Sequence, residues 1–264
     1  MAAPATPALA MVTGASSGIG KSFAEVLASR GTDLVLVARS RERLEELATT
    51  LRERHGRSVD VLVADLEKPE ELALVEQRLH EDARIDLLIN NAGYGFAGSF
   101  AELPLERSLG QIGCNITALT RLTHAALSTM KPSRRGGIMN IASTAAFLPT
   151  PYFSVYAATK SYVVTFSLAL SEEIKAHGVT ITVVCPGFTR TEFQSRADYD
   201  ASAMPGFVWQ SAEDVVKESL AAYGAGQTLC VPGLPNRVTT ALTGLLPKSL
   251  LVSLIGRFTQ PPKG

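Results

Sequence analysis

Short apolar runs alternate with longer amphipathic stretches along almost the whole chain. Ala8 to Val12 is a continuous run of small and apolar residues, as expected of a strand buried on both faces. A helix is predicted from about Ile19 to Ser29, ended by Gly31, then a strand over Asp33–Ala38. Leu44, Leu47 and Leu51 form one stripe of a helix running from Arg41 to His55. A third strand, Val59 to Ala64, precedes a helix opening near Pro69, a favourable first-turn position. Leu72, Val75 and Leu79 recur along that helix at helical spacing. Asp86 to Asn90 reads as a fourth strand, Leu105 to Met130 as one long helical region, and Gly137 to Ala142 as a fifth strand. The next helix carries Tyr156 and Lys160 and extends to about Ala176. Val163, Phe166, Leu170 and Ile174 line one of its faces. Val179 to Cys185 is a sixth strand. Ser211 with Asp214 predicts a capped helix through Tyr223, and Thr228 to Val231 a last edge strand. This alternation predicts a doubly wound, three-layer α/β fold: a mostly parallel sheet with helices on both faces.

Residues 1–7 read as a flexible Ala- and Pro-rich leader without the basic region of a signal peptide. Residues 8–234 form one domain with no internal linker, including an irregular segment at 188–210. An apolar extension covers 235–264. Lys plus Arg and Asp plus Glu number 25 each, a balance that argues against a nucleic-acid partner. Cys114, Cys185 and Cys230 are sparse and odd in number, which points to a reducing, cytoplasmic compartment rather than a disulfide framework. His55, His80, His124 and His177 lack metal-ligand spacing, so no metal site is expected.

Two stretches carry chemistry. TGASSGIG, Thr13 to Gly20, follows a predicted strand and opens a helix. Gly14, Gly18 and Gly20 would permit a tight turn and close backbone approach, leaving helix N-terminal amides for a dinucleotide pyrophosphate. The spacing is Gly-x-x-x-Gly-x-Gly, and it lacks the Lys-Ser/Thr ending of a nucleotide-triphosphate loop. At the end of the second strand Ala38 is neutral where an acidic residue would grip a ribose, and Arg39 follows it. Arg39 therefore indicates NADP, with Ser16, Ser17, Ser40 and Arg41 as helpers. The second stretch, Ser143 to Lys160, puts Tyr156 and Lys160 on one helix face. An ammonium there favours the phenolate of a tyrosine whose ordinary pKa is about 10.

With these motifs in hand, the sequence resembles the classical short-chain dehydrogenase/reductase family. The matching residues are TGASSGIG at 13 to 20, Asp65, NNAG at 90 to 93, Asn115, Ser143, YAATK at 156 to 160 and PGFTRT at 186 to 191. The resemblance covers about residues 8 to 234. It implies a Rossmann-like sheet of seven parallel strands, order 3-2-1-4-5-6-7, and a homodimer or homotetramer. It also implies that Tyr156 is the acid/base, that Lys160 lowers its pKa and binds the nicotinamide ribose, and that Ser143 orients the substrate oxygen. Asn115 would maintain a water-linked relay behind the lysine. Asp65, with Leu66, would contact the adenine. Asn91, Ala92 and Gly93 would flank the adenosine side, Ile19 would belong to the glycine-rich turn, and Pro186, Gly187, Thr189 and Thr191 would border the nicotinamide end. The expected reaction is hydride transfer between NADP(H) and a carbonyl or secondary alcohol.

Substrate choice falls to two aromatic segments. One includes Ala145, Phe147, Tyr152 and Phe153; the other Phe188, Phe193, Tyr199, Met204, Phe207 and Trp209. Tyr94 and Phe96 would form the opposite wall. Together they predict a bulky or lipid-like substrate. Beyond Pro235 to Arg237, expected as a turn, Leu242, Leu245 and Leu246 precede Pro247. Leu250, Leu251, Leu254, Ile255 and Phe258 then fit a short amphipathic helix, with Lys248 and Arg257 near its ends. It could be a lid, a subunit interface or a membrane-surface helix; no apolar run reaches the roughly 18 residues of a membrane span. Two other classes stay open: a cofactor-binding scaffold without useful turnover, and an isomerase or dehydratase on the same fold.

Overall fold

The computed structural model describes residues 7–199, 204–243 and 247–259. The expected leader therefore lies outside the described residues except for Pro7. So do Leu245 and Leu246 of the tail, and the side chains of Lys248, Leu250, Leu254, Arg257 and Phe258.

The main sheet is built from β1 (Leu9–Thr13), β2 (Asp33–Ala38), β3 (Val59–Val63), β4 (Ile85–Asn90), β5 (Gly137–Ile141) and β6 (Thr180–Val184). Two short strands, β7 (Thr189–Arg190) and β8 (Gln210–Ser211), pair separately, and β9 (Leu229–Cys230) closes the far edge of the main sheet. The order is β3-β2-β1-β4-β5-β6-β9 with all neighbours parallel, the seven-stranded arrangement expected. The helices are α1 (Gly18–Ser29), α2 (Arg41–His55), α3 (Pro69–Glu81), α4 (Leu105–Ile112), α5 (Leu119–Ser133), α6 (Ser154–Ile174), α7 (Phe193–Arg196), α8 (Ala212–Gly224), α9 (Leu234–Thr243) and α10 (Lys248–Thr259).

The continuous apolar character of the strands follows from burial on both faces. Ala10, Val12, Leu34 and Leu36 meet Phe23 and Leu27 of α1, Leu44 and Leu51 of α2 and Val216 of α8. The alternate residues Leu9, Met11, Val35 and Val37 meet Leu72, Val75 and Leu79 of α3 and Leu122 of α5. Each large aliphatic side chain so buried contributes roughly 1.5–3 kcal/mol. The chain runs from β1 to one side and returns to β4 on the other. The C-terminal ends of β1 and β4 thus bound the crevice where ligands bind in such sheets. A buried polar ladder fixes the centre. The Asn90 amide donates to Asn140 Oδ1 at 2.9 Å and Thr123 Oγ1 at 3.1 Å, and the Asn140 amide donates to Ser167 Oγ at 2.9 Å. It ties β4 and β5 to α5 and α6, the helix that carries Tyr156.

Three local expectations change. The region 105–130 is not one regular helix: a π-helical stretch, Gly113–Ala118, separates α4 from α5 and contains Asn115. The insertion turns Asn115 inward, where it bonds the backbone of Tyr94. Residues 188–210 are less irregular than expected, because β7, β8 and α7 organise them. Pro235 to Arg237 are not a turn but the opening of α9, where a proline is tolerated because first-turn amides need no intrahelical partner. The cap at Ser211 forms as expected, with Asp214 N donating to Ser211 Oγ at 3.0 Å, while the Ser211 hydroxyl, rather than its backbone amide, donates to Asp214 Oδ2 at 2.6 Å.

Candidate active site

A cavity of about 1180 Å³ opens along the C-terminal ends of the strands. That exceeds the roughly 300–1,000 Å³ common for small-molecule sites. One end is formed by Gly14, Ser16, Ser17, Gly18, Ile19, Arg39, Ser40, Asp65, Leu66, Asn91, Ala92 and Gly93, and the other by Ser143, Ala145, Phe153, Tyr156, Lys160 and Phe193.

The glycine-rich turn leaves β1 with left-handed backbone at Gly14 and Gly18 (φ 65° and 55°). Its path is held from β4. Thr13 Oγ1 accepts from the amides of Asn91 and Ala92, both at 3.0 Å, and the Asn91 side chain donates to Thr13 O at 2.9 Å and Gly14 O at 3.2 Å. The Asn91 amide group thus clamps the turn. Gly20 does not line the cavity: a Cβ there would lie 2.3 Å from Gly14 O, so this glycine serves close packing behind the turn. Ser17 precedes α1 without a side-chain cap, which leaves first-turn amides of a twelve-residue helix facing the crevice.

The other end is organised by the exits of β5 and β6. Ala142 N donates to Val184 O at 2.7 Å and Thr144 N to Pro186 O at 2.9 Å. Ser143 sits between them in extended conformation, and its Oγ accepts from Ala145 N at 3.1 Å. Tyr156 and Lys160, one turn apart on α6, are both buried. Lys160 Nζ lies 5.7 Å from the centre of the Tyr156 ring and donates to Ile141 O at 2.8 Å. Burial lowers the Lys160 ammonium to about 8. Burial also raises the Tyr156 phenol to about 12, opposed by Ser143. The expected lowering of the phenol by Lys160 is therefore not what the protein's own groups produce. Desolvation of the phenolate is the largest cause, and the ammonium, itself desolvated and held by the Ile141 carbonyl, adds no lowering.

Asn115 lies behind the cavity rather than in its lining. Its Oδ1 accepts from Tyr94 N at 3.1 Å, and its amide donates to Tyr94 O at 2.9 Å and Thr159 Oγ1 at 3.0 Å. A Cβ on Gly93 would fall 2.9 Å from Asn115 Oδ1 and 3.2 Å from Lys160 Nζ, so Gly93 allows the two groups to approach. Pro186, Gly187, Thr189 and Thr191 all border the cavity. Asn236 of α9 buttresses Gly187, where a Cβ would meet Asn236 Oδ1 at 2.3 Å.

The aromatic wall is narrower than the sequence suggests. Tyr94, Phe96, Ala145, Phe153, Phe188, Phe193, Tyr199 and Met204 line the cavity, but Phe147, Tyr152 and Trp209 do not. Phe147 packs against the satellite core under the β5–α6 connection. Tyr152 adopts a left-handed backbone (φ 62°), and its carbonyl accepts from Gly98 N. Trp209 backs Phe188, ring centres 5.4 Å apart, from outside the cavity. Tyr156 is enclosed by Phe153 at 4.8 Å and Phe193 at 5.4 Å. Ile255 of α10 also lines the cavity, and Leu251 of the same helix is buried. The sequence reading missed Arg43, Glu67, Arg107 and Glu192 in the lining; they stand outside the motifs, on helix starts and loops whose convergence only the fold reveals. Among the described residues no helix is long and apolar enough to cross a membrane, and no cluster of His, Cys, Asp or Glu could hold a metal.

The sequence profile of the family described as short chain dehydrogenase matches residues 8–201. Human 17-beta-hydroxysteroid dehydrogenase type 3 is 34% identical over 242 residues, covering 90% of this chain and 75% of that protein. A short-chain dehydrogenase from Sphingobium yanoikuyae, solved in complex with NADPH, superposes with a TM-score of 0.82 at 40% identity, covering 90% of this chain and 94% of that one. The bulky-bulky ketone specific alcohol dehydrogenase from Comamonas testosteroni gives 0.79 at 34% identity, with 91% and 94% covered.

Proposed function

We propose, for a chain that belongs to the short-chain dehydrogenase family and so transfers hydride between a nicotinamide coenzyme and a carbonyl or alcohol, that the coenzyme is NADP(H) and the substrate a bulky hydrophobic ketone or secondary alcohol. The observation that carries this reading is the single cavity joining the glycine-rich turn and Arg39 to Tyr156 beneath an aromatic wall.

The residues present fit the coenzyme. Left-handed glycines and the uncapped start of α1 suit a pyrophosphate, and Arg39, with no acidic residue at position 38, suits a 2′-phosphate. Ser16, Ser17, Ser40, Asp65, Leu66 and Asn91 to Gly93 would border the adenosine, and Lys160, Pro186, Gly187, Thr189 and Thr191 the nicotinamide half. Bound there, NADP(H) supplies or accepts the hydride. In reduction, negative charge grows on the substrate oxygen. The Ser143 hydroxyl accepts from Ala145 N and lies against the Tyr156 phenol, so its proton can turn to the substrate oxygen. Tyr156 is the acid that delivers the proton, and its raised phenol keeps it protonated below about pH 12. Lys160 offsets the charge left on Tyr156. Asn115 positions the lysine's surroundings through Tyr94 and Thr159. Phe153 and Phe193 exclude water from the phenol. Oxidation runs the same contacts in reverse.

The substrate class follows from Phe153, Phe188, Phe193, Tyr199 and Met204, with α10 as a lid through Ile255. Relatives named for a hydroxysteroid and for bulky ketones support it. We place residues 8–234 in one catalytic domain and the chain in the cytoplasm, assembled as a homodimer or homotetramer. Exposed Leu105, Leu109 and Leu168 on α4 and α6 support self-association. A panel of ketones, aldehydes and alcohols, followed by nicotinamide absorbance with each coenzyme, tests the reading. NADPH-linked reduction of a bulky ketone is expected. Turnover confined to small polar carbonyls, or to NADH, would refute it.

A further inference from the structure

Arg43 and Glu192 are 149 residues apart in sequence, yet Arg43 Nη1 reaches the two Glu192 oxygens at 3.3 and 3.0 Å. Arg43 lies in the first turn of α2, its amide directed at the Ser40 hydroxyl. Glu192 immediately precedes α7, in the segment that carries Phe193. Both side chains line the cavity, together with Ser16, Ser17, Arg39 and Ser40 at the end we assign to the 2′-phosphate. Glu192 has a second cationic partner: the Arg196 guanidinium also bonds its carboxylate. Arg39 by contrast has only a loose carboxylate neighbour, Glu67 at 3.9 Å.

We propose that Arg43 is a second specificity residue for the 2′-phosphate, and that Glu192 is an internal competitor that holds Arg43 until the phosphate takes it. The assignment rests on the NADP reading above. Three observations support it. The Arg43–Glu192 pair is half exposed, 48% and 49%, and ion pairs so exposed are weak and exchangeable. Releasing Arg43 strands no charge, because Arg196 keeps Glu192 paired. A phosphate monoester carries about −1.5 to −2 charges near pH 7 and offers three acceptor oxygens, so it outcompetes one carboxylate already shared between two guanidinia. No covalent step is involved.

The experiment is a set of fluorescence titrations of the full chain with NADPH and NADH, on wild type, Arg43→Ala, Glu192→Gln and the double variant. Arg43→Ala is expected to weaken NADPH about tenfold, the size of one charge-assisted contact. Glu192→Gln is expected to tighten NADPH by about threefold, because the competitor is gone. NADH affinity should stay constant throughout, which also shows that each variant is folded. In the Arg43→Ala background, Glu192→Gln should have no effect. The assignment is overturned if Glu192→Gln weakens NADPH or leaves it unchanged, if it shifts both coenzymes alike, or if its effect survives without Arg43. A wild type that prefers NADPH but shows any of these responses refutes the assignment alone. A wild type that holds NADH as tightly as NADPH refutes the NADP reading and the assignment with it.

Discussion

The two ends of the cavity are held by different forces. At the glycine-rich end, backbone and short polar side chains fix every turn: the Thr13 hydroxyl and the Asn91 amide close four hydrogen bonds between the exits of β1 and β4. At the aromatic end, local backbone bonds such as Gln210 N to Phe188 O at 2.9 Å set the loops, but the side chains of Phe153, Phe188, Phe193 and Tyr199 meet through ring contacts, flanked by half-exposed ion pairs such as Arg107–Asp198 at 3.6 Å. Apolar burial is non-directional and tolerates substitution of similar volume, whereas the hydrogen-bonded turn tolerates little. The end proposed for the coenzyme is therefore the more tightly specified frame, and the end proposed for the substrate an adaptable wall around Tyr156.

Substitutions at the two ends should differ accordingly. The largest effect is expected for Gly20→Ala. Its Cβ would press to 2.3 Å from Gly14 O and 2.4 Å from Asn91 Nδ2, forcing the turn open. NADPH affinity should fall by at least ~100-fold in a fluorescence titration, with far-ultraviolet dichroism showing whether the sheet persists. Near-normal affinity would mean that the frame is not rigid. Next, Arg39→Ala should weaken NADPH by about tenfold while sparing NADH, since a charge-assisted phosphate contact is lost and no ribose contact is touched. Equal losses for both coenzymes would remove Arg39 from the selectivity argument.

At the substrate end, Phe193→Ala should raise KM for bulky ketones by roughly fivefold and leave small ones nearly unchanged, as one apolar wall contact in a pocket would. A collapse of kcat for all substrates would instead make Phe193 part of the frame. The smallest effect concerns stability. The Lys160 ammonium is lowered from 10.5 to about 8, so the folded state binds fewer protons than the unfolded one between those values. Stability relative to Lys160→Met should then rise with pH from about 8 towards 10.5, and be flat below 8. Comparing the two proteins by thermal unfolding cancels the raised Tyr156 and Cys230, which act in the opposite sense; Cys114 and Cys185 interact with Lys160, so their change on its removal is part of the lysine's own contribution. A difference that falls with pH would contradict a buried Lys160.

The same contrast explains what the sequence discloses. Strands buried on both faces and glycines at strand exits follow from short-range rules, so β2 and α2 end where their residue patterns end, and the candidate coenzyme residues apart from Gly20 and Arg41 line one crevice, Arg41 pairing instead with Glu45 along α2. Gly20 misleads because its importance is packing against Gly14 O. The π-helical insertion at Asn115 has no periodic signature, since what marks it are long-range bonds to the Tyr94 backbone and to Thr159. The substrate wall is legible only as composition. Phe147 and Trp209 are as aromatic as Phe153 and Phe193, and which pair faces Tyr156 depends on long-range packing. Arg43 and Glu192 are invisible for the same reason: each is an ordinary helix-end charge until the fold closes 149 residues between them.

The proton-donor role proposed for Tyr156, beside an intact coenzyme site, is open to one direct test. NADPH affinity and turnover of a bulky ketone should be measured together for wild type and Tyr156→Phe. The account predicts unchanged NADPH affinity, because the ring and its contacts with Phe153 and Phe193 remain, and a fall in kcat of at least ~100-fold, the range of a lost general acid. Turnover within a few-fold of wild type, with NADPH still bound, would contradict it.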